Sequence, residues 1–374
     1  LVFEDEFESR GTIGYFVPVI KTRNQHKKGP NLVTDTYTAN AEEAEIREGK
    51  KKDLTRYQVH IINNPLYPSE AFLVTEGTRF PTVLLKDQLA EVLGGKLKRF
   101  SDASYKGWIK FNDRSELFFD TVQDKTPIRS FPLDKYEDKK GLVEIFQMPR
   151  RDEDDTVITN RYIAGIDVVD KARATTSSLP SIIVFDRITR TIVAEYTGRT
   201  DDPKYFYEVC RRILMFYKAT AMYEQNFIGL FNYFVQHNAS YLLAETPYQL
   251  RNSDTYRPGT NTSKGIFNAG RINDTGIDYI SSWLLSPINP ESEKLMLNTI
   301  YSPAILKELI SWNKKGNFDR VSALIMLFWY EETLHKVKTE MSEAKVSFLE
   351  SNYFAKRGLL PKKKLDWQDP KDFI

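Results

Sequence analysis

Residues 181–198 read SIIVFDRITRTIVAEYTG. Two runs rich in Ile, Val, Phe and Tyr, SIIVFDR and TIVAEYTG, are joined by RITR. Such residues suit the pleated, half-buried surface of a strand, and so short a link leaves room only for a tight hairpin. This pair fixes two neighbouring antiparallel strands before anything else in the chain is placed. Just upstream, NRYIAGIDVVD (160–170) carries another apolar run, RYIAGID, which reads as a buried strand ending on a carboxylate, Asp167.

Downstream, strands alternate with helices. DDPKYFYEVCRRILMFYKA is entered by Asp and Pro, and its apolar stripe (Phe206, Val209, Ile213, Leu214, Tyr217) has helical spacing. TAMYE is a short strand ending at Glu224, QNFIGLFNYFVQH a second helix, and SYLLAET (240–246) a further strand. After a polar insertion and two more helical stretches, NFDRVSALIMLFWYEETLHKV forms a long apolar helix beginning near Asp319. A three-strand meander followed by alternating helices and strands is the ribonuclease H order. The expected fold is therefore α/β, a ribonuclease H-like mixed sheet flanked by helices.

Upstream of about residue 155 the text is irregular and charge-rich, and an α+β segment is expected. Its clear helix is PTVLLKDQLAEVLGG, with proline at the start and two glycines at the end. GWIKFND, SELFFDTV and LVEIFQMP read as short strands, and RRDEDD (150–155) as a solvated link.

Composition closes several alternatives. The chain has 374 residues, a net charge of +2, one cysteine and four histidines. That argues against a disulfide framework and against a structural zinc site. Cys210 falls on the apolar side of a helix and reads as packing, while His237 and His335 lack ligand spacing. There is no membrane-length apolar run and no signal peptide. GGKLKRF has neither the spacing nor the Ser/Thr of a phosphate loop.

Three acids stand out by position: Asp167 ends the first strand, Glu224 ends the strand after the first helix, and Asp319 opens the last helix. Each has a plainer role taken singly. Asp167 can form a turn, Glu224 can lead the next helix or be solvated, and Asp319 can face its helix dipole. In a mixed sheet the first and fourth strands can be neighbours about 4.8 Å apart, so the acids would converge. Clustered carboxylates repel unless a cation neutralises them, and oxygen ligands without His or Cys select Mg²⁺ or Mn²⁺. Two such ions would serve an in-line phosphoryl displacement, one activating the attacking water and the other stabilising the 3′-oxygen that leaves. Asp170 is expected in a loop beside the site, supporting the ligands from behind, and Asp186 at a turn.

DNA contact points to the insertion TYRPGTNTSKGIFNAGR, where Arg257, Lys264 and Arg271 are spaced among small polar residues. A solvated loop is the plainer alternative. The HKKG and KKK runs read as solvated.

The downstream half resembles the nuclease domain of the terminase large subunit of tailed bacteriophages. The resemblance rests on YIAGID, SIIVFDRITRTIVAEYTGR, YEQNFIG and NFDRVSALIM, in that order over about 170 residues. NPLYPSEAFLVTEGTRFPTVLLKDQLAEVLG is similar to the closing segment of the family's ATPase domain. The chain opens on Leu, and the Walker motifs that would precede this segment are absent, so ATP hydrolysis is not expected from it.

The resemblance implies a C-terminal remnant of an ATPase domain over 1–100, a connector with short strands over 101–155, a nuclease domain over 156–345 and a tail over 346–374. It carries Asp167, Glu224 and Asp319 over as metal ligands. It implies an endonuclease that cuts concatemeric double-stranded DNA in a viral packaging motor. The expected partners are the small terminase subunit and the portal protein. The expected location is the host cytoplasm, transiently at the procapsid portal. Some family members carry a further acid beside the last ligand. Arg320 stands there here, so looser binding of a second metal is expected. Two alternatives remain: another ribonuclease H-like nuclease of resolvase or integrase type, and a non-catalytic docking module of the motor.

Overall fold

Seven strands form one mixed sheet in the computed structural model of the chain. It describes residues 79–95, 97, 104–129, 139–169, 178–225, 228–251, 263–267, 270–314 and 316–351, with short stretches between residues 2 and 67; side chains of the last helix are described as far as residue 336. The strands are β1 (Tyr105–Phe111), β2 (Leu117–Thr121), β3 (Val143–Ile145), β4 (Tyr162–Asp167), β5 (Ser181–Asp186), β6 (Thr191–Thr197) and β7 (Thr220–Tyr223). The helices of eight or more residues are α1 (Thr36–Lys50), α2 (Thr82–Leu93), α3 (Pro203–Tyr217), α4 (Ile228–Gln236), α5 (Gly270–Leu285), α6 (Pro303–Ser311) and α7 (Asp319–Ser351).

Across the sheet the order is β7-β4-β5-β6-β3-β1-β2. β4, β5 and β6 are an antiparallel meander, and β7 returns parallel to β4 after α3. This is the ribonuclease H-like order, α/β as expected. The segment 101–155, expected as a connector, supplies β1, β2 and β3 to the same sheet.

Strand alternation sorts the side chains into two cores. Ile163 of β4 and Ile183 and Phe185 of β5 face α2, α5, α6 and α7. Ala164 and Ile166 of β4 and Ile182 and Val184 of β5 face α3 and α4. Because both faces are covered, β4 and β5 are buried at every position. The β5–β6 hairpin turns on Asp186, whose Oδ1 accepts from the Ile188 and Thr189 amides and whose Oδ2 accepts from Arg161. α3 starts where its sequence announces it: the Asp202 carboxylate caps Lys204 N, and Pro203 follows.

One predicted strand takes another form. SYLLAET begins as a 3-10 turn (Ser240–Leu242) and then meets β7 only through an isolated bridge, Ala221 with Leu243. Ser240 and Asn238 shape a turn after α4, with Asn238 at φ 53°, and use up the length that pairing would need. Helix α2 shares the core of α5, α6 and α7. Phe80 meets Trp312 edge-on, and Gln88 donates to the carbonyls of Asn298 and Ile300. Among the described residues no helix is long and apolar enough to cross a membrane.

Candidate metal centre

The site is built by three elements and one glycine. Gly165 lies on the α7 face of β4, where an added Cβ would sit 2.0 Å from the Ala323 carbonyl oxygen and 2.5 Å from Leu327 N. Only glycine permits this contact, so α7 lies directly across β4. From Gly165 the strand advances two residues, about 6.6 Å, to Asp167 on the same face. From Ala323 the helix runs back one turn, about 6 Å, to Asp319. The two acids are thus brought to the same end of the same face. β7 adds the third: Met222 is in register with Gly165 and Tyr223 with Ile166, so Glu224 follows beside Asp167, its N–H donating to the Ile166 carbonyl at 3.2 Å.

All three carboxylates are buried, Asp167 at 7%, Glu224 at 9% and Asp319 at 3% exposure. The Asp167 and Glu224 carboxyls adjoin, and two such acceptors repel when both are ionised. Burial first, then the charges of Glu224 and Asp319, hold Asp167 well above the usual carboxylate range. Asp319 is raised to about 7. Burial is the main cause, opposed by the Leu179 amide and reinforced by the charge of Glu308.

Asp319 lies within electrostatic reach of the other two, but its oxygens are engaged. Oδ2 accepts from Leu179 N at 2.9 Å, and Oδ1 accepts from Ser178 Oγ at 3.0 Å and Asn317 Nδ2 at 3.1 Å. Among the described residues no three Asp, Glu, His or Cys side chains stand close enough together to hold one ion between them. The arrangement is therefore a close pair, Asp167 and Glu224, with Asp319 latched to Ser178 and Leu179 beside it. The donor set still fits a hard divalent cation: it is all oxygen, acidic and buried, and the repulsion between its carboxyls is what a cation would relieve.

The other expected residues are scattered. Lys264 donates to the Leu243 carbonyl at 2.7 Å and pairs with Glu245 at 3.2 Å, which ties the insertion to the chain beside β7. Arg271 lies exposed in the first turn of α5. Asp170 and Arg257 lie outside the described residues. Asp186 is fully buried against Arg161 at 2.6 Å and belongs to the hairpin, not to the acids. Cys210 is buried packing, His237 sits over the Tyr233 ring at 4.2 Å between centroids, and His335 is exposed on α7.

Sequence reading missed what lies behind the acids. Arg320 turns away from them, 3% exposed, with Nη1 on Glu308 Oε1 at 2.7 Å and Nη2 on the Ile128 carbonyl at 2.6 Å. Its Nε is 3.4 Å from Glu195 Oε2, and Glu195 Oε1 accepts from Ser302 Oγ. Glu195 stands opposite Glu144, itself paired with Arg129 and Ser104. The only sequence signal was charge inside otherwise apolar runs: Glu144 in LVEIF and Glu195 in TIVAEYT.

No protein-family model matches the chain, and no curated protein matches its sequence. Solved structures do. The large terminase nuclease from thermophilic phage G20c with bound zinc is 12% identical over 50% of this chain and 88% of its own, with a TM-score of 0.34. A second crystal structure of that nuclease is 11% identical, also at 0.34 over 50% and 88%. A third, with bound magnesium, is 10% identical at 0.33 over 51% and 88%. The ribonuclease H-like assignment rests on the order and direction of the chain's own strands.

Proposed function

We propose that the chain is a divalent-metal-dependent DNA endonuclease of a viral genome-packaging motor. The observation that carries this is the placement of Asp167 and Glu224 on adjoining parallel strand ends, with Asp319 brought alongside by the α7–Gly165 contact. The motor context comes from the ordered resemblance of YIAGID, the hairpin, YEQNFIG and NFDRVSALIM. The substrate would be concatemeric double-stranded DNA, and the partners a small terminase subunit and a portal protein.

Asp167 and Glu224 would hold Mg²⁺ or Mn²⁺, with Asp319, fixed beside them, to complete the set. Bound divalent ions supply Lewis acidity for in-line displacement at a phosphodiester. The chain's own part is to fix these donors. β4 and β7 hold two carboxylates on rigid strand ends. The Ser178 hydroxyl, the Leu179 amide and Asn317 hold the third in a defined rotamer. Arg271, exposed near the insertion, would contact the backbone of the bound duplex.

Nicking of supercoiled plasmid with Mn²⁺, compared between wild type and Asp167→Ala, tests this. Wild type should nick and the variant should not, while both unfold cooperatively. Full cleavage by the variant would refute the assignment. The fully bonded Asp319 favours a second reading, a docking module whose acids bind no metal. Calorimetry showing no heat of Mg²⁺ or Mn²⁺ binding at millimolar concentration would select it.

A further inference from the structure

We propose that Arg320 is a positioning residue for Asp319, locking the first turn of α7 in place so that the neighbouring carboxylate stays beside Asp167 and Glu224. The inference rests on the nuclease reading above. Three separate parts of the chain converge on this one side chain: Glu308 from α6, Glu195 from β6 and the Ile128 carbonyl from the segment after β2. Glu308 also accepts the Arg320 backbone N–H at 2.9 Å through its other oxygen. That N–H belongs to the first turn of α7, where donors have no partner inside the helix. Glu308 therefore caps the helix and grips its second residue with one carboxylate.

The far end of the anchor is held by charge, with Arg320 Nε and Glu195 Oε2 3.4 Å apart and not hydrogen-bonded. Ser302 caps α6 through Ile305 N and donates to Glu195, so Ser302, Glu195, Arg320 and Glu308 form a closed brace between the sheet and two helices. A helix start can be capped by one Ser or Asp without burying a guanidinium. Two buried glutamates around one arginine do something a cap does not: they fix where along β4 the helix begins. The register that sets Ala323 on Gly165 and the brace at Arg320 act together on Asp319, which lies between β4 and the brace. The fork of Arg320 reaches a carboxylate and a carbonyl at once, a geometry that lysine cannot copy.

The test uses the 374-residue chain and Mn²⁺ itself. Mn²⁺ binding is measured by calorimetry, and nicking is followed against Mn²⁺ concentration. Arg320→Lys should weaken Mn²⁺ binding by about tenfold, the scale on which residues behind metal ligands act. Half-saturating Mn²⁺ for nicking should rise by the same factor, with the rate at saturating Mn²⁺ little changed. A merely structural role would lower the melting temperature and leave the Mn²⁺ affinity of the folded protein alone. Should Arg320→Lys fail to fold, the triple variant Arg320→Met, Glu195→Gln, Glu308→Gln removes the buried charges together, so that none is left unpaired. Wild-type Mn²⁺ affinity in either folded variant would overturn the inference and leave the nuclease reading standing. A wild-type chain that neither binds Mn²⁺ nor nicks would remove both.

Discussion

Gly165 and Ala323 meet backbone to backbone: a Cβ on the glycine would lie 2.0 Å from the alanine carbonyl oxygen. Gly165→Ala should therefore push α7 away from β4 and cost about 1–3 kcal/mol, as overpacked cores do. Because Asp319 rides on the same helix, nicking should fall by roughly 100-fold, the scale of a 1 Å misplacement. Denaturant midpoints and plasmid nicking check both. A fully active variant would show that the contact does not place the acid.

The repulsion between Asp167 and its neighbours should be measurable as lost stability. Asp167→Asn removes one of the buried, mutually repelling carboxyls and keeps the shape. At pH 8 without metal the variant should be more stable than wild type, on the order of 1–2 kcal/mol, while nicking is abolished. A drop in melting temperature would show that the carboxylates are not in conflict.

The pH dependence follows from Asp319, raised to about 7 against an ordinary 3.8. Below about pH 4 the group is protonated whether the chain is folded or not, and its contribution is fully present. As pH rises towards 7 the unfolded chain gives up the proton first, so stability is lost across that window. Melting in EDTA at pH 4.5, 6 and 8 should show this decline, and millimolar Mn²⁺ should reverse it. A metal-free curve that rises from pH 5 to 7 would contradict the shift.

Glu208 shifts the other way. Burial alone would raise it, but hydrogen bonds from Arg211, Arg212 and Tyr233 outweigh burial and hold it at about 2. Its contribution is present above pH 4.5 and lost as pH falls towards 2. Glu208→Gln should lower the melting temperature at pH 7 and make little difference at pH 2.5. Equal losses at both values would show that the ion pairs contribute nothing.

Lys264 and Arg271 should separate on mutation. Lys264→Ala breaks the link to the Leu243 carbonyl and Glu245, and should cost stability by about 1 kcal/mol. Arg271→Ala should leave stability alone and weaken duplex binding, reducing the salt slope by about one unit if it contacts a phosphate. Gel shifts at two salt concentrations decide.

What the sequence made legible was what continuous apolar runs and punctuation encode. The unbroken apolar runs in YIAGID and SIIVFDR located β4 and β5, Asp202-Pro203 located α3, and position at strand and helix ends singled out Asp167, Glu224 and Asp319 as candidates. Long-range side-chain pairing was not legible. Nothing local says that Arg320 is gripped by Glu308 and Glu195, or that Lys264 is tied to Leu243 and Glu245. The strands over 105–145 were visible, but their membership of the main sheet depends on β3 pairing with β6, a contact between distant segments. SYLLAET carries strand composition, and the turn after α4 overrode it.

The latch on Asp319 also bears on when the centre can exist. Leu179 and Asp319 bond across 140 positions of chain, and Ser178 and Asp319 across 141. Ring closures of that length are slow to form and follow the local hairpin. During synthesis the β4–β5–β6 meander can fold while α7 has yet to emerge, with Asp167 and Glu224 already paired. The third carboxylate arrives last, so an unfinished chain would carry the sheet without the complete set of donors.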